Sequence, residues 1–404
     1  CSALRILCVQ DDIADEFKVL LSGAMDALKI GDPWQLDSDV GPVIDTDAKQ
    51  NIANHIKRLE VTAQKIGSTP ARNLKDGHFI CPVAYELNDF ADLDREIFGP
   101  VLHIIRFSAK EKMAMIDKIN QSGFGLTLGI QSRIDGICNT MAEKAEVGNI
   151  YINRNQIGAV VGVQPFGGQG LSGTGPKAGG PLYLLRLTKA KASDNIATPE
   201  PVLVPLGDQH QSSANLAEHV AKGIEAHLQW GHGFHHDSDL MQMADAIGGA
   251  FGKIINQEID LRKLILTDNI ALASPAGETN IYSVKGRGLI ISMAQDPEAV
   301  SVACARAVTT GNSFLQINRE GSTTDISAWI APINKATGIE NFVQQIRVTK
   351  LSDILEQLPI APIGAILVES DDPDILALGN VIAAKKGPIL PVLAAADSHD
   401  RFVH

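Results

Sequence analysis

No stretch of this 404-residue chain stays apolar for the ~20 residues that a membrane span requires, so no transmembrane segment is expected. Cysteine is sparse. Five occur, at positions 1, 8, 81, 138 and 304, an odd set without paired spacing. That excludes a disulfide framework and fits a reducing, cytoplasmic setting. Basic charge is in deficit: 35 Lys and Arg against 47 Asp and Glu leave a net charge of −12. The basic face that a nucleic-acid partner needs is therefore missing. The opening Cys1-Ser2-Ala3-Leu4-Arg5 lacks the charged-then-apolar layout of a secretory signal. It also lacks an initiator methionine, so residue 1 is not expected to be the start of the gene product.

What is present is an ordinary globular composition, 45% hydrophobic and 20% charged. At roughly 150 residues per domain the length predicts two or three domains. Apolar periodicity lapses over Thr188–Ala214, which is rich in Ser, Pro, Asp and Gln. The reading is a first domain over 1–190, a linker over 191–214 with a short strand at Val202–Val204, and a second domain over 215–404.

In the first block Phe17, Leu20, Leu21, Ala24 and Leu28 recur at helical spacing behind an Asp11 or Asp12 cap, and Ile52, Ile56, Leu59 and Ala63 mark a second helix. His78–Tyr85 and Val101–Phe107 read as buried strands, the former bulged or at an edge because it carries Pro82. Ser108-Ala109-Lys110-Glu111 has the pattern of a capping box opening a third helix, and Asn149–Asn153 reads as a strand. The second block repeats one device. Strands Leu289–Ala294 and Ala365–Val368 each lead into an Asp-Pro helix start, at Asp296-Pro297 and Asp372-Pro373. Gly311 and Gly387 end those helices, and strands Ser313–Ile317 and Ile389–Leu393 follow. Two strand–helix–strand units predict right-handed crossovers in a Rossmann-like parallel sheet. Ahead of them, Leu216–Leu228 and Leu240–Ile255 read as helices.

Three segments carry chemistry, in this order: Cys1-Ser2-Ala3-Leu4-Arg5, then Arg95-Glu96-Ile97-Phe98-Gly99-Pro100-Val101-Leu102, then Pro165-Phe166-Gly167-Gly168. In register they resemble the aldehyde dehydrogenase superfamily. The run from Gly148-Asn149-Ile150-Tyr151-Ile152-Asn153 through Gly158-Ala159 to Gly168, continued by Gly170-Leu171-Ser172-Gly173-Thr174-Gly175-Pro176-Lys177-Ala178-Gly179-Gly180-Pro181, narrows the match. It is similar to the proline utilization A family. Those bifunctional bacterial flavoenzymes oxidise proline in one domain and glutamate γ-semialdehyde in another. The similarity is close over the first block. The second block is less specifically similar to the extra C-terminal domain of the longer members.

The resemblance implies an α/β fold: an aldehyde-dehydrogenase-like catalytic domain, then a second, non-catalytic Rossmann-like α/β domain. It implies that Cys1 is the nucleophile, forming a hemithioacetal that gives hydride to NAD and a thioester that water hydrolyses. Ser2 and the backbone N–H groups of Gly158 and Ala159 would hold the substrate carboxylate, with Phe166 against its aliphatic part. Glu96 would accept from a ribose hydroxyl of NAD, and Phe98 would pack near the nicotinamide. The family's general base and oxyanion asparagine precede the cysteine, so the chain by itself is not expected to oxidise aldehydes. FAD belongs to a proline dehydrogenase domain absent from this sequence. A homo-oligomeric, cytoplasmic parent enzyme, peripheral to the inner membrane, is implied as well.

Plainer readings stand beside these. Ser2 would also serve as a helix cap, and Gly158–Gly180 as an irregular loop. Gly168-Gln169-Gly170-Leu171-Ser172-Gly173 fits G-x-G-x-x-G, but the glycines and proline that follow forbid the helix a dinucleotide loop must open. His227, His232, His235 and His236 with Asp237 and Asp239 read as an exposed polar loop, and no metal is expected. In the second block the strand-to-helix turns are acidic and lack glycine, which disfavours phosphate. Two rival functions remain: a non-catalytic assembly or channelling module, and a related acid-semialdehyde dehydrogenase.

Overall fold

Strand alternation decides the first sheet. In the computed structural model Val83, Tyr85 and Leu87 point to one face and Ala84 to the other. The structure describes residues 2–403 apart from 72–73, 75–76, 94, 189–215, 231–236, 267–268, 320, 349–362, 370–371, 373–374, 396 and 398. Cys1, the linker with its Val202–Val204 strand, and His232, His235 and His236 lie outside the described residues. Two compact units are present, Cys1–Gly158 and Ala159–His404.

The first unit contains β1 (Ile6–Gln10), α1 (Asp11–Ala27), α2 (Thr46–Thr62), β2 (Gln64–Ser68), β3 (Val83–Leu87), β4 (Val101–Phe107), α3 (Lys112–Gln121), the two-residue β5 (Phe124–Gly125), β6 (Thr127–Ile130), α4 (Asp135–Lys144) and β7 (Asn149–Ile152). Its main sheet has the order β1-β4-β3-β2. β1, β4 and β3 are parallel and β2 is antiparallel to β3. One face is closed by Ile52 and Leu59 of α2 with Met115 of α3. The other is closed by Ala14, Phe17, Leu21 and Met25 of α1. The sheet is thus apolar on both sides, as parallel sheets are. β6 and β7 pair in parallel across α4.

Several expectations shift. The buried stripe of α1 runs through Phe17 and Leu21, whereas Leu20 and Ala24 face outward. Its N-cap is Gln10, with Asp11 and Asp12 inside the first turn rather than capping. Asp45 caps α2, accepting from the Ala48 N–H at 2.7 Å. Pro82 lies just before β3 rather than within it, because it has no N–H to give a ladder. β3 is also interior to the sheet, not an edge. The capping box forms by half: Glu111 accepts from the Ser108 N–H (3.3 Å) and hydroxyl (2.7 Å), and the helix starts one residue later.

The second unit holds the two-residue β8 (Gln169–Gly170), α5 (Leu216–Trp230), α6 (Asp237–Ile247), α7 (Gly249–Ile265), β9 (Ile270–Leu272), β10 (Asn280–Tyr282), β11 (Leu289–Ser292), α8 (Pro297–Thr309), β12 (Ser313–Asn318), α9 (Ser327–Thr337), β13 (Val343–Arg347), β14 (Ile363–Val368), α10 (Ile375–Ala384) and β15 (Val392–Ala394). Its five-stranded sheet, β13-β12-β11-β14-β15, is parallel throughout. Ile290, Phe314 and Leu367 pack under α6, α7, α8 and α9, while Leu289, Leu315 and Ile366 pack under α5 and α10. The Rossmann-like reading holds here. Asp296 caps α8 with Pro297 at its first position, as read from the sequence. The helix expected over 240–255 is instead two helices, broken where Gly248 adopts φ +64°. The segment after Gly158 packs within this unit, with Leu182 against Leu266, Tyr282 and Val284. The packing boundary therefore falls well before the join read from composition.

Candidate active site

β1 and β4 are neighbours and parallel, with Ile6 opposite His103. The segments leading into them, 2–5 and 95–100, therefore emerge at the same end of the sheet. The first follows Cys1 directly, and the second is the Glu-Ile-Phe-Gly-Pro motif. Arg5 joins them. Its Nη1 lies 3.2 Å from Glu96 Oε1 and donates to the Ile97 carbonyl at 2.9 Å. Its guanidinium carbon sits 4.2 Å from the centre of the Phe98 ring. Burial lowers the Arg5 pKa, opposed by the charge of Glu96.

The motif is shaped by what packs beneath it. Ile97 turns into the core while Phe98 stays 61% exposed and the Glu96 side chain 45% exposed. A Cβ on Gly99 would stand 2.3 Å from Ile52 Cδ1, so only glycine lets α2 approach the motif this closely. Behind Arg5 its backbone carbonyl accepts from the His103 N–H (3.0 Å) and lies 2.9 Å from His103 Nδ1. His103 Nε2 is 2.8 Å from His55 Nε2, and Arg58 Nη2 is 3.2 Å from His55 Nδ1. The row is satisfied when Arg58 donates to His55, His55 to His103, and His103 to Arg5. Burial, ahead of the charges on Arg58 and Arg5, lowers the His103 pKa. The shift favours the neutral imidazole that the row requires.

Ser2 precedes β1 in a non-helical segment, so its helix-cap reading falls. Its backbone carbonyl accepts from Gln156 Nε2 at 3.5 Å. Gly158 is exposed with φ +76°. In the second unit Ala159 and Phe166 are half-buried, and Phe166 exchanges backbone hydrogen bonds with Ala178 at 3.0 and 2.9 Å. The structure thus brings together Arg5, Glu96 and Phe98; Ser2 and Gly158 belong to the same unit, and Ala159 and Phe166 to the other. Arg5, His55 and His103 were not read from the sequence as site residues. Arg5 stood inside the quoted motif, but its partners lie more than ninety positions away, out of reach of local spacing.

Other candidates close. Burial pushes the Cys8 thiol up to about 12 and raises Cys304 too, so neither offers a thiolate near neutral pH. The Gly168–Gly173 loop opens no helix; a Cβ on Gly168 would meet the Ser172 carbonyl at 2.7 Å, so its glycines serve close packing. Asp237 is spent on ion pairs with Arg262 and Lys263, and His227 is buried in α5. At the β11–α8 turn the N–H groups of Gln295 and Asp296 donate to Glu369 Oε1 at 2.7 and 2.6 Å. An internal carboxylate fills the place where a phosphate would sit in a nucleotide-binding unit. Among the described residues no helix is long and apolar enough to cross a membrane.

Residues 1–193 match the family model described as the aldehyde dehydrogenase family. Over this block, just under half of its length, the chain is similar to the aldehyde dehydrogenase family. The α/β fold of the first unit, with its parallel strands, is consistent with that match. The match to the bifunctional protein PutA of Escherichia coli (strain K12) runs through both blocks. It is 34% identical over 398 residues, covering 97% of this chain and 28% of that protein. The chain therefore spans under a third of the length of this curated relative. The 1-pyrroline-5-carboxylate dehydrogenase of Geobacillus sp. (strain WCH70) is 35% identical over 198 residues, 47% of this chain and 37% of the relative. A crystal structure of a Bradyrhizobium japonicum proline utilization A mutant is 50% identical and covers 46% of this chain and 19% of its own, with a TM-score of 0.44.

Proposed function

We propose that this chain carries the nucleophile-bearing part of an NAD-dependent dehydrogenase that oxidises L-glutamate γ-semialdehyde to L-glutamate in proline catabolism. The observation that supports this best is the pairing of β1 with β4. It sets the segment after Cys1 beside the Glu96–Gly99 motif, joined through Arg5. The names of the relatives supply the substrate class.

The residues fit a dinucleotide. Glu96 presents a half-exposed carboxylate to accept from a ribose hydroxyl, and Phe98 presents an exposed ring to the nicotinamide. Bound NAD would supply the hydride acceptor. Cys1 attacks the aldehyde carbon as a thiolate, loses hydride from the hemithioacetal, and is left as a thioester that water cleaves. The Ser2 hydroxyl and the Gly158 N–H hold the substrate carboxylate. Charge-assisted hydrogen bonds of this kind select an aldehyde that carries an acid group. In the parent enzyme FAD serves a separate proline-oxidising domain, and the enzyme works in the cytoplasm as a homo-oligomer.

The test uses the full-length enzyme that contains this chain, including the portion preceding Cys1. With glutamate semialdehyde and NAD, NADH is expected to accumulate, and Cys1→Ala to abolish it. NADH formation that Cys1→Ala leaves unchanged would refute the assignment.

A further inference from the structure

Three contacts of Arg5 fall on one short segment: the carboxylate of Glu96, the carbonyl of Ile97 and the ring of Phe98. Its backbone, meanwhile, is pinned by His103 where β1 meets β4. A guanidinium does this where an ammonium cannot, because it is planar, stacks on a ring and donates along fixed directions. The arrangement is poorly explained as a device for stability. The ion pair has a partner 45% exposed, and such pairs contribute little to folding. The ring that Arg5 covers is itself mostly exposed. What the contacts do accomplish is to restrict two side chains that would otherwise sample several rotamers, a freedom that ligand binding would have to quench.

We propose that Arg5 is a positioning residue for the dinucleotide. It holds the Glu96 carboxylate and the Phe98 ring in the pose that receives ribose and nicotinamide, and it keys that pose to the strand following Cys1. This rests on the dehydrogenase reading above. Arg5 itself touches neither substrate nor cofactor in this account.

The experiment compares Arg5→Met, Arg5→Lys, Glu96→Gln and the double variant Arg5→Met/Glu96→Gln in the full-length enzyme. NADH affinity is read by fluorescence titration, alongside KM for each substrate. The rate of Cys1 alkylation by iodoacetamide is measured without nucleotide. Arg5→Met is expected to weaken NADH binding about tenfold, or about 1.4 kcal/mol. Arg5→Lys recovers part of that loss. The semialdehyde KM and the nucleotide-free alkylation rate stay within about twofold, and the double variant loses less than the product of the single losses. Unchanged NADH affinity in Arg5→Met overturns the proposal, as do multiplicative losses. So does alkylation slowing in step with NADH binding, which would mark a merely structural role. Should Arg5→Met fail to fold, Arg5→Lys decides: a loss of about threefold supports the proposal and none overturns it. A wild-type enzyme that binds NADH yet oxidises no acid semialdehyde would end the functional reading, and the titration would still judge Arg5.

Discussion

Gly99→Ala is the sharpest perturbation of the motif that is not a change of chemistry. The added methyl would lie 2.3 Å from Ile52 Cδ1 and 2.9 Å from Ile52 Cγ1. Ile52 cannot swing aside freely: it is 2% exposed and packed among Leu59, Val83, Tyr85 and Val101. Overpacking of this kind costs about 1–3 kcal/mol. Ile52→Val removes the nearer atom at a cost of about 0.5–1.5 kcal/mol on its own. In the Gly99→Ala background the same change removes the closer of the two contacts, so the two costs should not add in full. The assay is native-state hydrogen exchange over β3 and β4, which reports opening of the first unit without requiring the whole chain to unfold in one step. Gly99→Ala should speed exchange there by about 5- to 150-fold, the range that 1–3 kcal/mol implies. Adding Ile52→Val should slow it again. Exchange that Gly99→Ala leaves unchanged, or costs that simply add, would refute the reasoning.

Ala159→Leu should lower kcat/KM about tenfold for the acid semialdehyde and far less for propanal, if the Gly158–Ala159 turn holds the carboxylate; equal losses on both aldehydes would count against it. His103 has a folded pKa below its usual value, so its contribution to stability is full above about pH 6.5 and fades as pH falls toward the folded value. Exchange in β4, corrected for its intrinsic rate, should therefore lose protection between pH 7.5 and 5.5 in the wild type and less so in His103→Gln. Equal slopes would contradict this. In the second unit Glu258 is buried and accepts from Arg306 (2.8 and 3.2 Å) and lies 2.9 Å from His399 Nε2. Burial raises the Glu258 pKa, but His399 and Arg306 more than offset that, leaving it below the usual value. Glu258→Gln leaves the Arg306 charge buried without its counter-charge, so that unit should lose about 3–5 kcal/mol in denaturant unfolding. A loss below about 1 kcal/mol would show the network to be slack.

Where local chemistry fixes structure, the sequence was readable. Asp296-Pro297 cap and start α8 because an acceptor side chain and a preset φ suit a helix N-terminus. Val101–Phe107 was legible as a strand because it is apolar on both faces. Errors arose where one residue overrode a pattern. Pro82 postponed β3, and Gly248 divided an apolar run into α6 and α7. The stripe of α1 was misplaced by one column because Leu20 is as apolar as Leu21 yet faces away from the sheet. The site was legible in its motifs but not in its wiring. Glu96 and Phe98 stand out in a recognisable segment. Their link to Arg5 depends on β1 lying beside β4, a pairing between residues about a hundred positions apart that no periodicity encodes.

The most direct test of the account concerns Cys1. The full-length enzyme is mixed with glutamate semialdehyde and NAD, quenched in acid within one turnover, and mapped by peptide mass spectrometry. The account predicts a glutamyl thioester on the peptide that contains Cys1, absent from Cys1→Ser and absent when NAD is withheld. An acyl group on another residue, or full turnover with no covalent intermediate on Cys1, would contradict it.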